Sequence, residues 1–292
     1  MKKVVAHFCV LRPKHWIKNG FVILPLFFAE GNLEQDMVLS AFGIAALFCL
    51  ASSMVYVLND WMDRASDRLH PKKKERPFAS GALNNFDAVL LLAGLASLLV
   101  FLALVLEIST TITVFLLIFV LVNVGYSLGL KKFAVIDIVC VASGYVIRVT
   151  SGTFGIQERP SLWLLFTIGS LALLIISGKR KAEIKTQKNA AQLRSSLGAY
   201  SETNLDQLLK VFGFLAISFY FLFTVSAHSL AKYQSSILPW SSIFVAIGIY
   251  RFLAMQKDIR RLEDPVLLVL QDRSLLVSIF FWLIFITAST QF

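Results

Sequence analysis

Three aspartates lie close together where the second apolar stretch of the chain ends, in the run Asn59-Asp60-Trp61-Met62-Asp63-Arg64-Ala65-Ser66-Asp67. An α-helix turns about 100° per residue, so Asp60, Asp63 and Asp67 fall within about 60° of one another on one face. Clustered carboxylates repel unless a cation lies among them, and oxygen ligands suit Mg²⁺. A solvated helix end, with Asp67 near Arg64, is the alternative. The spacing predicts a magnesium site made of Asp60, Asp63 and Asp67.

A basic run follows the aspartates within a few residues and reads His70-Pro71-Lys72-Lys73-Lys74-Glu75-Arg76-Pro77. Its two prolines make this loop stiff. A metal ion and cations together are the usual means of stabilising a pyrophosphate leaving group. A membrane-topology signal is the alternative for part of the run, and Lys72 and Lys74 are the residues that we ascribe to it.

The composition excludes several classes of protein. Of the 292 residues 57% are hydrophobic and 16% are charged, and the mean hydropathy is +0.72, whereas an ordinary soluble domain is roughly 25% charged. A soluble enzyme, a disordered protein and a secreted disulfide scaffold are therefore disfavoured. The net charge of +10 indicates a membrane surface or an anionic ligand, and nucleic acid is not a predicted partner.

The cysteines and the N-terminus carry no special signal. Cys9, Cys49 and Cys140 form no CxxC pair and are expected to be small buried hydrophobic residues, without a structural zinc site. Lys3 is followed by an apolar stretch too short for a signal peptide, with no small-residue cleavage site, so none is predicted.

The apolar stretches predict a polytopic membrane protein. A helix needs roughly 20 apolar residues to cross a bilayer, and seven stretches without acidic or basic residues approach or exceed this length: Met37–Asn59, Ala88–Leu106, Ile108–Leu130, Pro160–Gly178, Val211–Ala231, Tyr233–Tyr250 and Ser274–Phe292. Two weaker spans, Phe133–Gly155 and Trp16–Ala29, bring the number to nine. We therefore expect an all-α bundle of nine transmembrane helices forming a single domain, 1–292.

The distribution of basic residues predicts the orientation. Almost all of the 28 lysines and arginines fall in the N-terminal segment and in the even-numbered connections. The sixth connection holds Lys179, Arg180, Lys181, Lys185, Lys188, Arg194 and Lys210, and the eighth holds Arg251, Lys257, Arg260, Arg261 and Arg273. The positive-inside rule then places the N-terminus and the active site on the cytoplasmic face of the inner membrane, with the C-terminus outside.

Charged residues inside or beside the spans are candidates for function or for helix packing. Asp137 and Arg148 share a helix face but lie about 16 Å apart along the axis, so they cannot pair with each other. Asp137 lies near the cytoplasmic end and is a predicted site residue, whereas the deeper Arg148 is expected to hold helices together. Asp272 and Arg273 open the last span, where a structural salt bridge and ligand contact are both open.

The motif Asn59-Asp60-x-x-Asp63-x-x-x-Asp67 resembles the first aspartate motif of the UbiA superfamily of intramembrane prenyltransferases, which have nine helices and bind a diphosphate substrate through Mg²⁺. The finer resemblance is to the decaprenyl-phosphate phosphoribosyltransferase branch. It rests on Leu11-Arg12-Pro13-Lys14-His15-Trp16-Ile17-Lys18-Asn19, His70-Pro71-x-Lys73-x-x-Arg76-Pro77-x-Ala79-Ser80-Gly81, Tyr126-Ser127-Leu128-x-Leu130-Lys131, Asp137 with Arg148, Gly178-Lys179-Arg180-x-Ala182-Glu183 and Asp272-Arg273.

One departure from the superfamily pattern concerns the sixth connection. Typical members carry a second aspartate-rich motif there, but this chain reads Lys179-Arg180-Lys181-Ala182-Glu183, with one carboxylate. This basic patch suits a donor that carries a 5-phosphate as well as a diphosphate. The resemblance implies a Mg²⁺-dependent transfer from 5-phosphoribosyl 1-diphosphate to a polyprenyl phosphate lipid, giving polyprenyl-phosphoryl-ribose 5-phosphate and pyrophosphate, for the synthesis of pentose donors for cell-wall glycans.

The same resemblance implies roles for individual residues. Asp60, Asp63 and Asp67 would be the catalytic, metal-holding residues, with Asn59 as a supporting ligand. Donor phosphates would be held by Lys73, Arg76, Lys179 and Arg180, and donor or acceptor phosphate by Lys18, Tyr126 and Lys131. Asp137 would contribute to the substrate site, and Glu183 would either bind a ribose hydroxyl or order Lys179 at i, i+4. The acceptor phosphate is already anionic, so no strong general base is needed.

Two other functions are weighed against this one. Transfer of a prenyl group from a polyprenyl diphosphate to an aromatic acceptor would predict a second carboxylate-rich site in the sixth connection. An anion transporter would more often place its site near the midplane, with broken helices and inverted repeats, whereas the charges here gather at one surface. A second copy of the chain is a further candidate partner.

Overall fold

The computed structural model describes residues 3–29, 33–186, 195–256 and 271–291. The α-helices are α1 (Lys3–Leu11), α2 (Gln35–Met62), α3 (Arg64–Arg68), α4 (Asn85–Val105), α5 (Thr110–Leu128), α6 (Ala134–Gly155), α7 (Leu162–Thr186), α8 (Glu202–Val225), α9 (Ala227–Tyr233), α10 (Ser241–Met255) and α11 (Arg273–Gln291). Short 3₁₀ segments are Pro13–Val22, Leu24–Phe28, Lys73–Glu75, Leu130–Lys132, Ser195–Ala199 and Leu238–Trp240. No strand occurs within these described ranges, so the all-α prediction is confirmed.

Most of the predicted membrane spans are long apolar helices. In the part of the chain that the structure describes, eight helical segments are long and apolar enough to cross a bilayer: Gln35–Met62, Asn85–Val105, Thr110–Leu128, Ala134–Gly155, Leu162–Lys185, Glu202–Val225, Leu238–Met255 and Arg273–Thr290. They coincide with eight of the nine stretches expected from the sequence. The protein is therefore a multi-pass membrane protein.

The ninth expected span, Trp16–Ala29, is not an α-helix. It is built from the 3₁₀ segments Pro13–Val22 and Leu24–Phe28, of ten and five residues. Pro25 lies inside the expected span and lacks the backbone N–H that a continuous α-helix would need there. At a rise of about 2 Å per residue, these segments have a contour length of about 30 Å, which matches the thickness of the hydrocarbon core.

Side-chain contacts show that the first 3₁₀ segment runs antiparallel beside α2. The indole nitrogen of Trp16 donates a hydrogen bond to Ser53 Oγ at 3.0 Å, and Asn19 Nδ2 donates to Cys49 Sγ at 3.1 Å. Gly152 of α6 makes the closest approach, because a Cβ placed there would lie 2.0 Å from the carbonyl oxygen of Val22. Small residues at such contacts let membrane segments pack backbone to backbone.

The chain divides into two compact units. The first comprises Met1–Ile23, Gln35–Lys131 and Ile147–Gln157, and the second comprises Leu24–Glu34, Lys132–Val146 and Glu158–Phe292. Ile44, Leu47, Phe48 and Phe119 lie in the core of the first unit. In the second unit, Tyr220 is buried among aromatic rings and shares hydrogen bonds of 2.8 Å with Ser241 and Trp282. The prediction of a single domain stays a prediction.

Helices α7, α8 and α10 extend beyond the spans that the sequence predicts. Lys210, expected in the sixth connection, lies in α8. Lys179, Arg180, Lys181 and Lys185, expected in a loop, lie in the last turns of α7, and Arg251 lies in α10. Ion pairs between helices explain the extension, since Lys181 pairs with Asp206 of α8 and Lys185 Nζ lies 2.9 Å from Glu202 of α8. Lys188, Arg194, Lys257, Arg260 and Arg261 lie outside the described residues.

The expectation for the cysteines is wrong. Cys9 is exposed on α1, and Cys49 and Cys140 are half-buried. Cys9 belongs to a face of α1 that also exposes Val5 and Phe8. In a membrane protein, apolar side chains turn outward as well as inward, so apolar surroundings in the sequence do not imply burial within the protein.

Candidate active site

The helical spacing of the three aspartates continues across the short break between α2 and α3. The backbone N–H of Asp63 donates to the carbonyl of Asn59 at 2.9 Å, and that of Asp67 donates to the carbonyl of Asp63 at 2.8 Å. These are the i to i−4 bonds of an α-helix. Asp60, Asp63 and Asp67 therefore keep the relative positions that the sequence predicts for one helix face.

Asp60 is buried, with an exposed fraction of 2%, and its carboxylate is bound by two arginines. Arg12 Nη2 lies 2.6 Å from Oδ1 and 2.9 Å from Oδ2, while Arg76 Nη1 lies 3.0 Å from Oδ1. Charge-assisted hydrogen bonds of this kind offset the loss of hydration that a buried carboxylate suffers.

Arg76 joins the first aspartate to the third. The Nη1 atom that bonds Asp60 also lies 2.8 Å from Asp67 Oδ2. Burial raises the pKa of Asp67 above its ordinary value, whereas Arg76 and, more weakly, Lys73 act to lower it. Two carboxylates thus converge on one cationic nitrogen.

The basic loop presents its lysines differently. Lys73 is half-buried, whereas Lys72 and Lys74 are exposed. The His70 ring accepts the backbone N–H groups of Lys72 and Lys73 at 3.2 Å, which fixes the start of the loop. Lys73 thus differs from its two neighbours in exposure, and its role as a phosphate ligand stays a prediction.

Asp63 has a partner of its own. Lys131 Nζ lies 2.6 and 2.7 Å from its two carboxylate oxygens and 3.5 Å from Asn59 Oδ1. The same Asn59 oxygen accepts the Ser127 hydroxyl at 3.2 Å. The structure therefore brings the predicted residues Asn59, Asp63 and Lys131 together at the end of α5.

The aspartates fit a divalent cation by the chemistry of their oxygen atoms. Among the described residues, no group of three or more His, Cys, Asp or Glu side chains is placed to hold a metal ion as the side chains stand. Arginine and lysine nitrogens lie between the carboxylates instead. Asp60 and Asp67 both bind Nη1 of Arg76, so a cationic group already lies between their oxygens. When the Arg76 guanidinium moves away, the same oxygens suit Mg²⁺.

A second charged cluster lies in the other compact unit. Asp137 is fully buried and is bound by Arg180 through Nε at 2.7 Å and Nη2 at 3.2 Å. Arg180 Nη1 lies 2.5 Å from Glu183 Oε2, one helical turn further along α7. The neighbouring Lys179 is half-buried. The structure thus groups Asp137, Arg180 and Glu183, and the roles assigned to them from the sequence stay predictions.

The other predicted phosphate ligands lie in the first unit. Lys18 is half-buried within the 3₁₀ segment Pro13–Val22, and Tyr126 is half-buried near the end of α5.

Arg148 binds helices together, as expected. Its Nε lies 2.7 Å from Asn19 Oδ1, its Nη2 lies 3.0 Å from Ser52 Oγ, and its guanidinium stands 4.5 Å from the centre of the Phe119 ring.

A model of the UbiA prenyltransferase family matches residues 20–270. The chain belongs to the UbiA prenyltransferase family. A decaprenyl-phosphate phosphoribosyltransferase of Mycolicibacterium smegmatis is 30% identical over 300 residues, covering 97% of this chain and 91% of its own length. A protein of the same name from Corynebacterium glutamicum is 31% identical over 252 residues, covering 84% of this chain and 74% of its own.

Solved structures agree with the fold. A UbiA homolog from Archaeoglobus fulgidus bound to GPP and Mg²⁺ superposes with a TM-score of 0.73, covering 98% of this chain and 99% of its own. The sequence identity is 15%, so this likeness shows the UbiA fold. The same homolog bound to DMAPP and Mg²⁺ gives a TM-score of 0.72, with 97% and 98% covered.

One residue that contacts the aspartates was not predicted from the sequence. Arg12 lies in the motif Leu11–Asn19, but its residue type and position alone indicate no role. Its backbone has φ 53° and ψ 57°, the left-handed region, although it precedes Pro13. Such a conformation costs about 1–3 kcal/mol and is disfavoured before proline. The arginine–proline pair between two apolar segments was the available signal, but only the fold shows that it faces Asp60.

Proposed function

We propose that the protein transfers the 5-phosphoribosyl group from 5-phosphoribosyl 1-diphosphate to a decaprenyl-type polyprenyl phosphate, giving polyprenyl-phosphoryl-ribose 5-phosphate and pyrophosphate. The observation that carries the proposal is near full-length similarity to relatives named decaprenyl-phosphate phosphoribosyltransferase, at 30% identity over 97% of the chain. The reaction makes the protein a membrane-bound transferase, and its product would serve the synthesis of pentose donors for cell-wall glycans.

The charges of the first unit support a phosphate-rich donor. Arg12, Arg76 and Lys131 surround the aspartates within hydrogen-bond distance. Lys18 and Lys73 add further half-buried cations to the same unit. Arginine binds phosphate oxygens in pairs and lysine binds them as a point charge, so this unit suits a diphosphate.

Asp60, Asp63 and Asp67 would hold Mg²⁺, with Asn59 as a supporting polar group. The bound ion would neutralise negative charge on the pyrophosphate as it leaves. Arg76 and Lys73 would hold the donor diphosphate, and Lys18, Tyr126 and Lys131 would hold donor or acceptor phosphate. Lys179 and Arg180 would hold donor phosphates, and Asp137 would contribute to the substrate site. Glu183 would either bind a ribose hydroxyl or order Lys179.

The bond changes need little proton chemistry. An oxygen of the acceptor phosphate attacks C1 of the ribose, the bond from C1 to the diphosphate oxygen breaks, and pyrophosphate leaves with the electron pair. The attacking oxygen is already anionic, so no general base is needed. Positioning by the cations and charge stabilisation of the leaving group would supply most of the rate.

The orientation in the membrane is part of the proposal. The chain is a multi-pass membrane protein, and we place it in the cytoplasmic membrane with the aspartates and N-terminus inside and the C-terminus outside. A water-soluble phosphorylated donor would then reach the aspartates from the cytoplasm, while the lipid acceptor would enter from the bilayer.

The decisive assay offers two donors to one preparation. Purified full-length protein receives Mg²⁺, a polyprenyl phosphate and either 5-phosphoribosyl 1-diphosphate or a prenyl diphosphate with an aromatic acceptor, and the products are read by mass spectrometry. We expect a lipid-linked ribose phosphate with the first donor and no prenylated aromatic with the second. A prenylated aromatic, or substrate flux across vesicles without any product, would overturn the proposal.

A pair of variants tests the aspartate assignment in the same assay. Asp60→Asn should lower the rate at least about 100-fold, because it removes a carboxylate that would hold the Mg²⁺ ion on the leaving group. Asp36→Asn is the control, since Asp36 is an exposed aspartate in the first turn of α2. Thermal melting checks that both variants stay folded. A wild-type rate in the folded Asp60→Asn protein would remove Asp60 from the site.

A further inference from the structure

Arg12 binds the aspartate cluster at 2.6 Å, and the sequence assigns it no role. It stands between α1 and the 3₁₀ segment Pro13–Val22, in a left-handed backbone conformation. One guanidinium nitrogen binds both oxygens of Asp60, and the guanidinium carbon lies 4.9 Å from the centre of the Tyr56 ring.

The backbone around Arg12 is anchored on both sides. Its N–H donates to the carbonyl of Cys9 at 3.3 Å, and its own carbonyl accepts the N–H of His15 at 2.9 Å. A strained conformation held this firmly sets where the side chain starts, and the arginine side chain beyond it has several rotatable bonds with alternative staggered states. Arg12 can therefore exchange partners without refolding of the chain.

Charge balance indicates when such an exchange would occur. Arg12 and Arg76 carry two positive charges, and the buried carboxylates of Asp60 and Asp67 carry two negative charges. A divalent cation added alone would leave excess positive charge in a largely buried group. An anion added alone would compete with the carboxylates for the same guanidinium groups. Buried charge without compensation is unfavourable, so cation and anion should bind together.

We propose that Arg12 is an exchangeable partner of Asp60: it neutralises the empty carboxylate, and it binds phosphate when a divalent cation takes the carboxylate. This inference rests on the proposed function, because it takes pyrophosphate to be a ligand of the site. Arg12 thereby couples cation binding to anion binding, so that neither ligand alone occupies the site well.

The first test measures the cation alone. Mn²⁺ is titrated into the full-length protein in detergent, and free Mn²⁺ is followed by electron paramagnetic resonance. In Arg12→Gln the carboxylate of Asp60 loses a competing cation, so Mn²⁺ should bind at least about 5-fold more tightly than in the wild type. Arg64→Gln is the matched control, because Arg64 lies beside the cluster but donates to the backbone oxygen of Trp61. It should leave the affinity unchanged.

The second test adds the anion. Preformed manganese pyrophosphate is titrated into the same proteins by calorimetry, and Arg12→Gln should bind it at least about 5-fold more weakly, because a phosphate ligand is lost. Arg12→Lys keeps the positive charge but lacks the paired N–H groups of a guanidinium. Its affinity for manganese pyrophosphate should lie between those of the wild type and Arg12→Gln, and it replaces Arg12→Gln if that variant does not fold. A change of the same sign in both titrations, or no change in either, would overturn the inference.

Failure of this inference is distinguishable from failure of the proposed function. Both titrations use pyrophosphate and metal without any lipid or ribose. If the assay yields no lipid-linked ribose phosphate but the two titrations move in opposite directions, the reaction is wrong and the exchange holds. If product forms while Arg12→Gln weakens or leaves unchanged both affinities, the exchange is wrong and the reaction holds.

Discussion

At the start of the last helix, Asp272 accepts two kinds of hydrogen bond. Arg251 of α10 binds it at 2.8 and 3.2 Å, and the backbone N–H of Leu275 donates to it at 3.0 Å. The Arg251 guanidinium lowers the pKa of Asp272, and the backbone N–H groups act in the same direction against burial. The residue therefore joins α10 to α11 and caps the first turn of α11.

We expect Asp272→Ala to lower the melting temperature by about 2–4 °C at pH 7, because a helix cap and an ion pair are lost. The folded pKa of Asp272 lies below the unfolded value of about 3.9. The stabilisation is thus complete above pH 4 to 5 and disappears as the pH falls through the lowered pKa. Thermal melting from pH 3 to pH 8 measures this.

Asp36→Ala is the control, since Asp36 is exposed on α2. A difference between wild type and Asp272→Ala that stays constant down to pH 3 would contradict the ion-pair explanation. No difference at pH 7 would remove Asp272 from the residues that stabilise the fold.

Single residues were predictable from the sequence where spacing along one helix or depth within a span was enough. The spacing of Asp60, Asp63 and Asp67 follows from helical geometry alone. The packing role of Arg148 followed from its depth in a span. The partner of Asp60 could not be predicted in this way, because Arg12 lies 48 positions away and its placement depends on how two segments cross.

At the scale of elements, apolar length predicted which segments cross the membrane but not their helix type. Pro25 interrupts the α-helical hydrogen bonds of Trp16–Ala29. The 3₁₀ segments rise about 2 Å per residue, against about 1.5 Å for an α-helix, so this short stretch becomes long enough to cross. The end of α7 at Thr186 could not be predicted from the sequence either. Lysines near the membrane surface are typical of loops, and only the carboxylates of α8 explain why they stay helical.

The crossing of α6 and the first 3₁₀ segment depends on a glycine. Gly152→Ala would place a Cβ 2.0 Å from the Val22 carbonyl oxygen, so the segments must separate. We expect a loss of about 1–3 kcal/mol in the free energy of unfolding, as for other overpacked contacts. Thermal or denaturant unfolding in detergent measures it.

Gly94→Ala is the matched control. Gly94 also lies within a membrane helix, but nothing comes within 4 Å of a Cβ added there. Alanine in place of glycine favours the helix by up to about 1 kcal/mol, so this variant should be as stable as the wild type or more stable. Equal losses in both variants would show that the Gly152 contact is not close in the membrane-embedded protein.

For the whole molecule, the number of crossings decides where the C-terminus lies. With only the eight apolar helical segments of the described chain crossing, the C-terminus would lie on the same side of the membrane as the start of α2. The 3₁₀ segments Pro13–Val22 and Leu24–Phe28 add a ninth crossing if they pass through the bilayer. Their contour length of about 30 Å permits this, and the antiparallel contacts with α2 support it.

Reporter fusions test the crossing number. Green fluorescent protein fluoresces only in the cytoplasm, and alkaline phosphatase is active only outside it. We expect phosphatase activity and no fluorescence at the C-terminus and after Arg159, and the reverse after Lys132, because basic residues gather on the inner side. Fusions at the N-terminus and after Lys132 test the first segment itself, and we expect fluorescence at both. Fluorescence after Lys132 without fluorescence at the N-terminus would mean that the first segment does not cross, because α2, α4 and α5 alone give an odd number of crossings between the two positions. Arg12 would then approach Asp60 along the membrane surface, and the N-terminal part of the site would need a different account.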